Sequence, residues 1–353
     1  MKIFLTGATG YIGGDALFLL SQQHPDSEFS LLVRSEDKAK KVQEQYPNAR
    51  IVLGGLDDSK AIREEAAWAD IVVHTADSSD HAQSARDIAQ GLVDGHSPER
   101  PGVWLHLGGT GILTYFDSEV KKTFGEPDDK VFDDLDGVDE LVNLPAEAFH
   151  RDVDEIVLKA GTDHADRVKT AIICPPTIYG QGRGPVSGRG RQVYQLTSFI
   201  LREGYVPRIG RGLARWNNVH VHDLSTALAQ LVDAGTDLQK HQQSADLQRE
   251  LWGAHGYFLT ENGEHTWGDL AVQIGQEAHK QGLLPSEPET REYSVEEAVK
   301  SPAGFEAASW GMNSRAKALR ARKFLNWEPK QHSLEDEIPT LVKSEQARIS
   351  QGL

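Results

Sequence analysis

The amino-acid sequence predicts an α/β fold: a doubly wound parallel sheet joined to a smaller, interleaved C-terminal subdomain. In the first half of the chain, short apolar runs alternate with amphipathic segments of helical length, at the spacing of roughly thirty residues that is typical of β-α-β units. After residue 180, a stretch rich in glycine and arginine precedes a second set of helical segments. We therefore predict a sheet-containing domain over 1–180 and a smaller, mostly helical subdomain over 181–353.

The apolar and amphipathic runs place the elements of the first domain in order. The predicted strands are Lys2–Thr6, Phe29–Val33, Arg50–Leu53, Ile71–His74, Val103–Leu107 and Lys169–Cys174. The predicted helices between the first four strands are Gly13–Gln22, Glu36–Gln45 and Ser59–Ala67. Short strands separated by helical segments indicate crossover connections and hence a parallel sheet.

The composition excludes several classes of partner. The chain has 37 basic and 53 acidic residues, a formal net charge of −16. Because phosphate backbones and anionic membrane surfaces bind basic faces, we expect neither nucleic acid nor a membrane as a partner. No apolar stretch is long enough to span a bilayer, and the first apolar run is assigned to a strand, not to a signal peptide. Cys174 is the only cysteine, so no intramolecular disulfide can form, and we expect a buried thiol in a cytoplasmic protein.

The strongest motif is TGATGYIG at residues 6–13, which follows the first strand and opens the first helix. In this context Gly7 allows a tight turn, Gly10 allows the backbone to approach a pyrophosphate, and Gly13 allows the helix to pack closely on the strand. The helix N-terminus then presents free amides and its positive dipole end to the phosphates. The motif predicts that 1–180 is a dinucleotide-binding Rossmann domain. The predicted contacts are Thr6, Gly7, Thr9, Gly10, Tyr11, Ile12 and Gly13.

The end of the second strand distinguishes NADP from NAD. NAD sites commonly place an acidic residue there for the ribose hydroxyls, whereas this chain has Arg34, followed by Ser35 and Lys38. A guanidinium suits the 2′-phosphate of NADP, and the serine and lysine are near enough in sequence to assist. We therefore predict that NADP(H) is preferred over NAD(H). The alternative is that Arg34 is an ordinary surface arginine.

Five further segments carry a resemblance to a known family: GGLD at 54–57, HTA at 74–76, PPTIYG at 175–180, VHVHDL at 219–224 and FLNWEP at 324–329. With the glycine motif, they resemble the extended and atypical short-chain dehydrogenase/reductases, the epimerase/dehydratase-like proteins, and among these a fungal branch. The resemblance covers residues 1–330. It implies cofactor contacts from Leu56, Thr75, Ala76 and Pro175, a structural role for Asp223, and a homodimer as the common assembly of such proteins.

Catalysis in the resembled family rests on a Ser or Thr, a Tyr that acts as general acid or base, and a Lys. The Ser/Thr position matches Thr110 in the segment LGGTG. The family's Tyr-x-x-x-Lys helix matches Ala146–Ala160, with Ala146 at the tyrosine position and His150 at the lysine position. The chain contains no Tyr-x-x-x-Lys, so the usual dyad is absent. His150 is then either a catalytic residue that also donates to the cofactor ribose, or a helix residue without a chemical role.

Other polar groups are candidates for the chemistry and for the substrate side. Tyr179, which follows the sixth strand, is a candidate proton donor. The substrate-side candidates are Tyr115, Arg189, Trp216 and His220. Packing is the alternative explanation for the aromatic residues.

Two surface segments have open interpretations. Arg183, Arg189 and Arg191 belong to the glycine-rich stretch, which either clamps an anionic substrate or phosphate or is a flexible solvated loop. The densely acidic segment 126–141 is either a solvated surface loop or a lid that contacts the substrate.

Three functions are compatible with these residues. The first is an NADP(H)-dependent oxidoreductase acting on a small carbonyl, enone or imine, with a proton from His150 or from water held by Thr110, because the hydride chemistry belongs to the cofactor. The second is a redox-neutral epimerase, isomerase or lyase that keeps its NAD(P) bound. The third is a non-catalytic NADP sensor similar to NmrA-type regulators. Thr110 and the PPTIYG segment favour an enzyme, and no metal is expected.

Overall fold

The computed structural model describes all residues from Met1 to Leu353. Its strands are β1 (Lys2–Thr6), β2 (Glu28–Val33), β3 (Arg50–Leu53), β4 (Ile71–His74), β5 (Gly102–Leu107), β6 (Phe132–Asp133), β7 (Val168–Cys174), β8 (Thr177–Tyr179), β9 (Val206–Ile209), β10 (Arg215–His220), β11 (Tyr257–Leu259), β12 (Glu264–Thr266), β13 (Thr290–Tyr293) and β14 (Ala316–Lys317). Its α-helices are α1 (Tyr11–Gln23), α2 (Glu36–Gln45), α3 (Ser59–Trp68), α4 (Ala82–Gly95), α5 (Val138–Val142), α6 (Arg151–Asp163), α7 (Gln192–Glu203), α8 (Val221–Gln239), α9 (Ala245–Leu251), α10 (Trp267–Lys280), α11 (Val295–Lys300), α12 (Glu306–Ser309), α13 (Arg320–Leu325) and α14 (Leu334–Ser350).

Seven strands form one sheet in the order β11-β7-β5-β4-β1-β2-β3, and every neighbouring pair is parallel. Helix α1 packs on α8, while α3 packs on α4 and α4 on α6. The predicted doubly wound α/β fold is thereby confirmed. The strand order reverses between β1 and β4, and ligands of such sheets bind in the crevice outside the carboxyl ends of the strands at this point.

The predicted strands agree closely with those in the structure. Three have the predicted bounds, and the other three begin one residue earlier than predicted. The seventh strand, β11, was not predicted. It has three residues and pairs with β7 through Tyr257 opposite Ile172. An apolar run of three residues does not distinguish a strand from a buried turn.

The apolar side chains form two cores. A cluster of 60 buried residues surrounds the central sheet, and a separate cluster of 27 lies mainly among α7, α10 and α14. Residues of α8, β11 and α13 belong to the first cluster although they lie late in the sequence. The chain therefore leaves the sheet core after β7, builds much of the second core, and returns, so the two parts are interleaved.

One buried aspartate joins the C-terminal segment to the sheet core. The carboxylate of Asp223 accepts the backbone N–H groups of Lys330 and Gln331 at 2.9 and 3.1 Å, and its carbonyl accepts the indole N–H of Trp327 at 2.9 Å. The aspartate has the structural role that the family resemblance implied.

Both expectations for the acidic segment are wrong for its second half, which is built into the fold. Phe132 and Asp133 form β6 beside β14, and the following helix is α5. Asp134 is fully buried and accepts backbone N–H groups from Leu259, Leu319 and Arg320. These carboxylates accept hydrogen bonds from backbone N–H groups that would otherwise be buried without a partner. An unpaired buried N–H group is more costly than the loss of carboxylate solvation.

No helix of the structure combines the length and the apolar character needed to cross a membrane.

Candidate active site and cofactor crevice

The glycine turn after β1 is closed against the end of β4. Gly7 has a φ of +87°, and a Cβ placed on it would lie 2.5 Å from Thr75 Oγ1. A Cβ on Gly13 would overlap with the same oxygen and with the Gly7 carbonyl. A Cβ on Gly10 would meet only the Gly7 carbonyl oxygen, at 3.2 Å. Packing within the chain therefore requires glycine at Gly7 and Gly13, whereas the missing side chain of Gly10 leaves space in front of α1.

The N-terminus of α1 faces that space with free donors. Gly10 precedes the helix without a side-chain cap, and the first intrahelical bond runs from Gly14 N–H to the Gly10 carbonyl at 3.0 Å. The N–H groups of Tyr11, Ile12 and Gly13 have no backbone acceptor in the chain. Unpaired amides at the positive end of a helix dipole form an anion site. The residues present thus fit the pyrophosphate of a dinucleotide.

Thr6 holds the wall of the crevice between β1 and β4. Its hydroxyl oxygen accepts the N–H groups of Thr75 and Ala76 at 3.2 and 3.3 Å and lies 2.7 Å from His74 Nδ1. The hydroxyl of Thr75 donates to the Thr6 carbonyl at 2.7 Å. Burial lowers the pKa of His74 to about 3, so this histidine is neutral and structural. Three predicted cofactor residues, Thr6, Thr75 and Ala76, are therefore neighbours in one wall.

The end of β2 is open and basic. Arg34 and Ser35 are exposed, Lys38 is partly exposed, and neither cation has an ion-pair partner. Ser35 precedes α2 without using its hydroxyl as a side-chain cap. Leu56 is half-buried and packs on the sheet core. Two cations and one hydroxyl are thus available to a ligand at this end of the crevice.

The helix predicted over Ala146–Ala160 begins later than expected. Helix α6 starts at Arg151, and Ala146 lies in a run of turns closed by bonds from Ala148 N–H to the Pro145 carbonyl and from Arg151 N–H to the Ala148 carbonyl. His150 has left-handed backbone geometry, with φ of 69°. A left-handed residue interrupts a right-handed helix, so the tyrosine and lysine positions of the family's helix are not one turn apart here.

His150 is paired with an acid from the opposite wall. Its Nδ1 lies 2.7 Å from Asp80 Oδ1, and hydrogen bonding to His150 is the main cause of a lowered Asp80 pKa. An ionised carboxylate only accepts, so Nδ1 carries the hydrogen. The other ring nitrogen, Nε2, lies 3.8 and 3.5 Å from Cβ positions built on Gly109 and Gly111. Nε2 therefore faces the turn that contains Thr110.

Thr110 lies between Gly109 and Gly111, in the turn that His150 Nε2 faces. The indole N–H of Trp216 donates to its hydroxyl at 3.2 Å, and its own N–H donates to the Pro175 carbonyl at 3.0 Å. Thr110 is 1% exposed, whereas the His150 side chain is 10% exposed. We call Asp80, Thr110 and His150, with Gly109 and Gly111, the catalytic corner. Within it, Asp80 is the most exposed polar group, and His150 is more accessible than Thr110.

Sequence reasoning missed Asp80. It lies in the polar run DSSDH at 77–81, shortly after β4 at the sheet's switch point. A polar residue at this position is the feature of the sequence that could have indicated a site residue. Its partner, however, is 70 positions away in the sequence, so the pairing itself was not visible.

Tyr179 and His220 belong to a different cluster. The Tyr179 hydroxyl donates to the His332 carbonyl at 2.6 Å, and burial raises its pKa. His220 packs edge-on against Tyr179, accepts the His222 N–H through Nδ1, and has its pKa lowered to about 3 by burial. The structure joins these two predicted residues to each other and to the C-terminal segment, not to the catalytic corner. Tyr115 is half-buried and packs edge-on against Phe116.

The arginine-rich loop is neither flexible nor a free anion clamp. Arg183 binds the buried carboxylate of Asp15 through two bonds of 2.8 and 2.7 Å, and Arg189 binds Glu345 at 2.7 and 2.9 Å. Gly184 lies against Gly14 so closely that a Cβ on Gly14 would approach it to 2.9 Å. The loop is therefore locked onto α1, and the substrate-side role predicted for Arg189 has no free guanidinium.

Comparisons with known proteins bear on the cofactor class and on the fold. A family model described as NAD(P)H-binding matches residues 7–130. The oxidase ucsJ from an Acremonium species is 38% identical over 357 positions, which cover 99% of this chain and 98% of the relative. Two solved structures share the fold at 16% identity. They are DesIV, a dTDP-glucose 4,6-dehydratase from Streptomyces venezuelae with NAD bound (TM-score 0.66, covering 99% of this chain and 98% of that one), and a UDP-glucose 4-epimerase from Thermotoga maritima (0.64, 99% and 100%).

The glycine turn, the doubly wound sheet and a full-length fungal relative lead to one conclusion. The chain belongs to the same family as the Acremonium oxidase, contains an NAD(P)H-binding region over residues 7–130, and shares its fold with epimerase and dehydratase structures.

Proposed function

We propose that this protein is an NADP(H)-dependent oxidoreductase that acts on a carbonyl, enone or imine, with His150 as its proton donor and Asp80 as the residue that positions His150. The observation that carries the proposal is the 2.7 Å pair between His150 Nδ1 and Asp80, which leaves Nε2 directed at the Gly109–Gly111 turn. The name of the Acremonium relative, an oxidase, supports a net redox reaction.

The preference for NADP rests on the end of β2. Arg34 and Lys38 have no acidic partner there, and Ser35 has a free hydroxyl. A 2′-phosphate would receive charge-assisted hydrogen bonds from these groups. The uncharged ribose hydroxyl of NAD would not offset the repulsion between the two cations, Arg34 and Lys38.

The residues of the catalytic corner divide the work. When bound, the reduced nicotinamide supplies the hydride. His150 Nε2 donates the proton to the substrate oxygen or nitrogen, and the ionised Asp80 stabilises the imidazolium and keeps Nδ1 protonated. Thr110 is held by Trp216 and orients the turn on which the reacting group rests. In the oxidation direction, Nε2 accepts the same proton.

The test is NADPH oxidation at 340 nm by the purified protein with a panel of aldehydes, ketones and enones. The variant His150→Asn should lower kcat/KM by about 10²–10⁴-fold, the usual contribution of a positioned proton donor. Asparagine tolerates left-handed geometry, so the backbone at this position is preserved. Asp80→Asn should cause a smaller loss.

A matched control exists on the surface. His255 Nε2 lies 3.5 Å from Asp139, and the two side chains are 45% and 84% exposed. The variant His255→Asn removes a histidine from an Asp–His pair without touching the crevice and should leave turnover unchanged. Equal activity of His150→Asn and the wild-type protein would reject the assignment of His150.

A redox-neutral reaction is the second candidate, because two of the structural neighbours are an epimerase and a dehydratase. It predicts substrate conversion with bound NAD(P) and no net change at 340 nm. Product analysis of the same reactions by mass spectrometry separates the two: a mass gain of two hydrogens identifies a reductase, whereas an unchanged mass or loss of water identifies the alternative.

A further inference from the structure

Two exposed aromatic rings lie beside the catalytic corner. Phe149 is 43% exposed and Phe305 is 63% exposed, and they are the two aromatic residues among the large apolar side chains at the surface. Their ring centroids are 5.9 Å apart at an interplanar angle of 49°. Exposed phenylalanines are costly in water, and a pair from distant parts of the chain marks a surface that binds something apolar.

The pair continues the surface of the catalytic corner outward. The Phe149 ring lies 3.6 Å from the His150 ring, and a Cβ on Gly111 would lie 3.2 Å from Phe149 Cδ1. A ligand that reaches His150 Nε2 through this side therefore passes Phe305 first and Phe149 next.

An ion pair lies next to Phe305 at the rim. Its neighbour Glu306 binds Arg191, at 2.5 Å, which fastens this segment to the arginine-rich loop. The charge of Arg191 also contributes, after the His150 hydrogen bond, to the lowered pKa of Asp80, so the loop end and the catalytic corner are close.

The charges around this rim do not suit an anion. Arg183 and Arg189 are paired with the buried carboxylates of Asp15 and Glu345, and Arg191 is paired with Glu306 while its own side chain stays 75% exposed. Asp80 adds a negative charge, 44% exposed, beside them. A diphosphate here would find no unpaired guanidinium of the loop, and desolvating it without a partner is costly.

We infer that the substrate is an uncharged compound with a flat apolar or aromatic part, held between Phe149 and Phe305 while its carbonyl or imine group meets His150, and that it is not a nucleoside diphosphate sugar. This inference rests on the proposed function for the direction in which the reacting group points. The structural neighbours that act on sugar nucleotides therefore share the fold with this chain but not the substrate class.

Binding by calorimetry tests the inference without turnover. The full-length protein, saturated with NADP⁺, is titrated with 2-acetylnaphthalene, a flat neutral ketone, and separately with UDP-glucose. We expect the ketone to bind and UDP-glucose to bind at least tenfold more weakly. The variants Phe305→Ala and Phe149→Ala should each weaken ketone binding by about two- to tenfold, the effect of losing one aromatic contact.

The control is Val272→Ala on α10, which removes a side chain that is 36% exposed outside the rim and should change nothing. Tighter binding of UDP-glucose, or ketone binding that Phe305→Ala and Phe149→Ala leave unaltered, would overturn the inference. If the ketone binds, loses affinity in the phenylalanine variants, and yet supports no NADPH oxidation, the substrate class stands and the proposed oxidoreductase function fails.

Discussion

The two halves of the crevice are built in different ways. The pyrophosphate part of the cofactor half comes from one continuous segment, residues 6–13, which Thr6 joins to Thr75 and Ala76 by hydrogen bonds. The catalytic corner takes single residues from segments far apart in sequence, Asp80, Thr110 and His150, and a fourth residue, Trp216, orients Thr110. The residues of the catalytic corner can therefore differ from those of the resembled family while the glycine turn is kept, because the two halves of the crevice come from different segments of the chain.

The largest expected effect comes from breaking the continuous half. Gly13→Ala places a methyl group on Thr75 Oγ1 and on the Gly7 carbonyl. Neither atom can move without opening the junction of β1 and β4, so we expect about 1–3 kcal/mol of lost unfolding free energy and no measurable NADPH binding. Thermal unfolding and a fluorescence titration with NADPH check both effects.

The matched control for that variant is Gly55→Ala. A Cβ on Gly55 meets nothing within 4 Å, and its φ is not left-handed. It should keep both the stability and the NADPH binding of the wild-type protein. If Gly13→Ala behaves like Gly55→Ala, close packing of α1 on β4 does not create the site.

The next effect separates the cofactors. Arg34→Ala should raise the Kd for NADPH by about ten- to hundredfold, since a hydrogen-bonded charged contact contributes about 1.5–3 kcal/mol. The Kd for NADH should change little. Lys40→Ala, which removes an exposed cation from the following helix α2, serves as the control. Equal weakening of NADPH and NADH by Arg34→Ala would contradict the assignment of the 2′-phosphate site.

The strand, turn and helix of the cofactor half were predictable because the motif at 6–13 specifies all three within one contiguous segment. Thr75 follows β4, the strand beside β1 at the switch point. The six predicted strands are found for the same reason, since each is a local apolar run. The three-residue β11 was not predicted, because so short a run shows no periodicity of apolar residues.

The catalytic corner was harder to predict because its contacts are long-range. The sequence identified His150 as a candidate. It did not show the turns after Pro145 or the left-handed backbone of His150, which delay the start of the helix to Arg151. Arg183 and Arg189 appeared free because their partners lie elsewhere in the chain, Asp15 in α1 and Glu345 in α14. Only the fold shows which charges are already paired.

The smallest effect concerns an acid beneath the catalytic corner. Asp154, one turn after His150, is fully buried, accepts the Tyr257 hydroxyl at 2.9 Å, and has its pKa raised to about 6 by burial. The folded protein therefore keeps a proton that the unfolded chain, with a pKa of about 3.9, releases. The resulting stabilisation, on the order of 2 kcal/mol, is full below about pH 4 and is lost as the pH rises through 6.

The variant Asp154→Asn checks this contribution. It keeps an acceptor for Tyr257 but cannot ionise, so the melting temperature should lose the part of its pH dependence between pH 4 and 6 that Asp154 supplies. Melting curves of the two proteins at several pH values provide the measurement. Curves that remain parallel over this range would show that Asp154 is already ionised in the folded protein.

Chemical rescue tests the central claim, proton donation by His150, most directly. His150→Gly suits the backbone, because glycine adopts a φ of 69° without strain, and it leaves an opening beside Asp80. We expect the variant to bind NADPH, to lose NADPH oxidation with a ketone substrate, and to regain part of the rate in a saturable manner when imidazole is added. Unchanged activity without imidazole, or a lost activity that imidazole cannot restore while NADPH still binds, would show that His150 is not the proton donor.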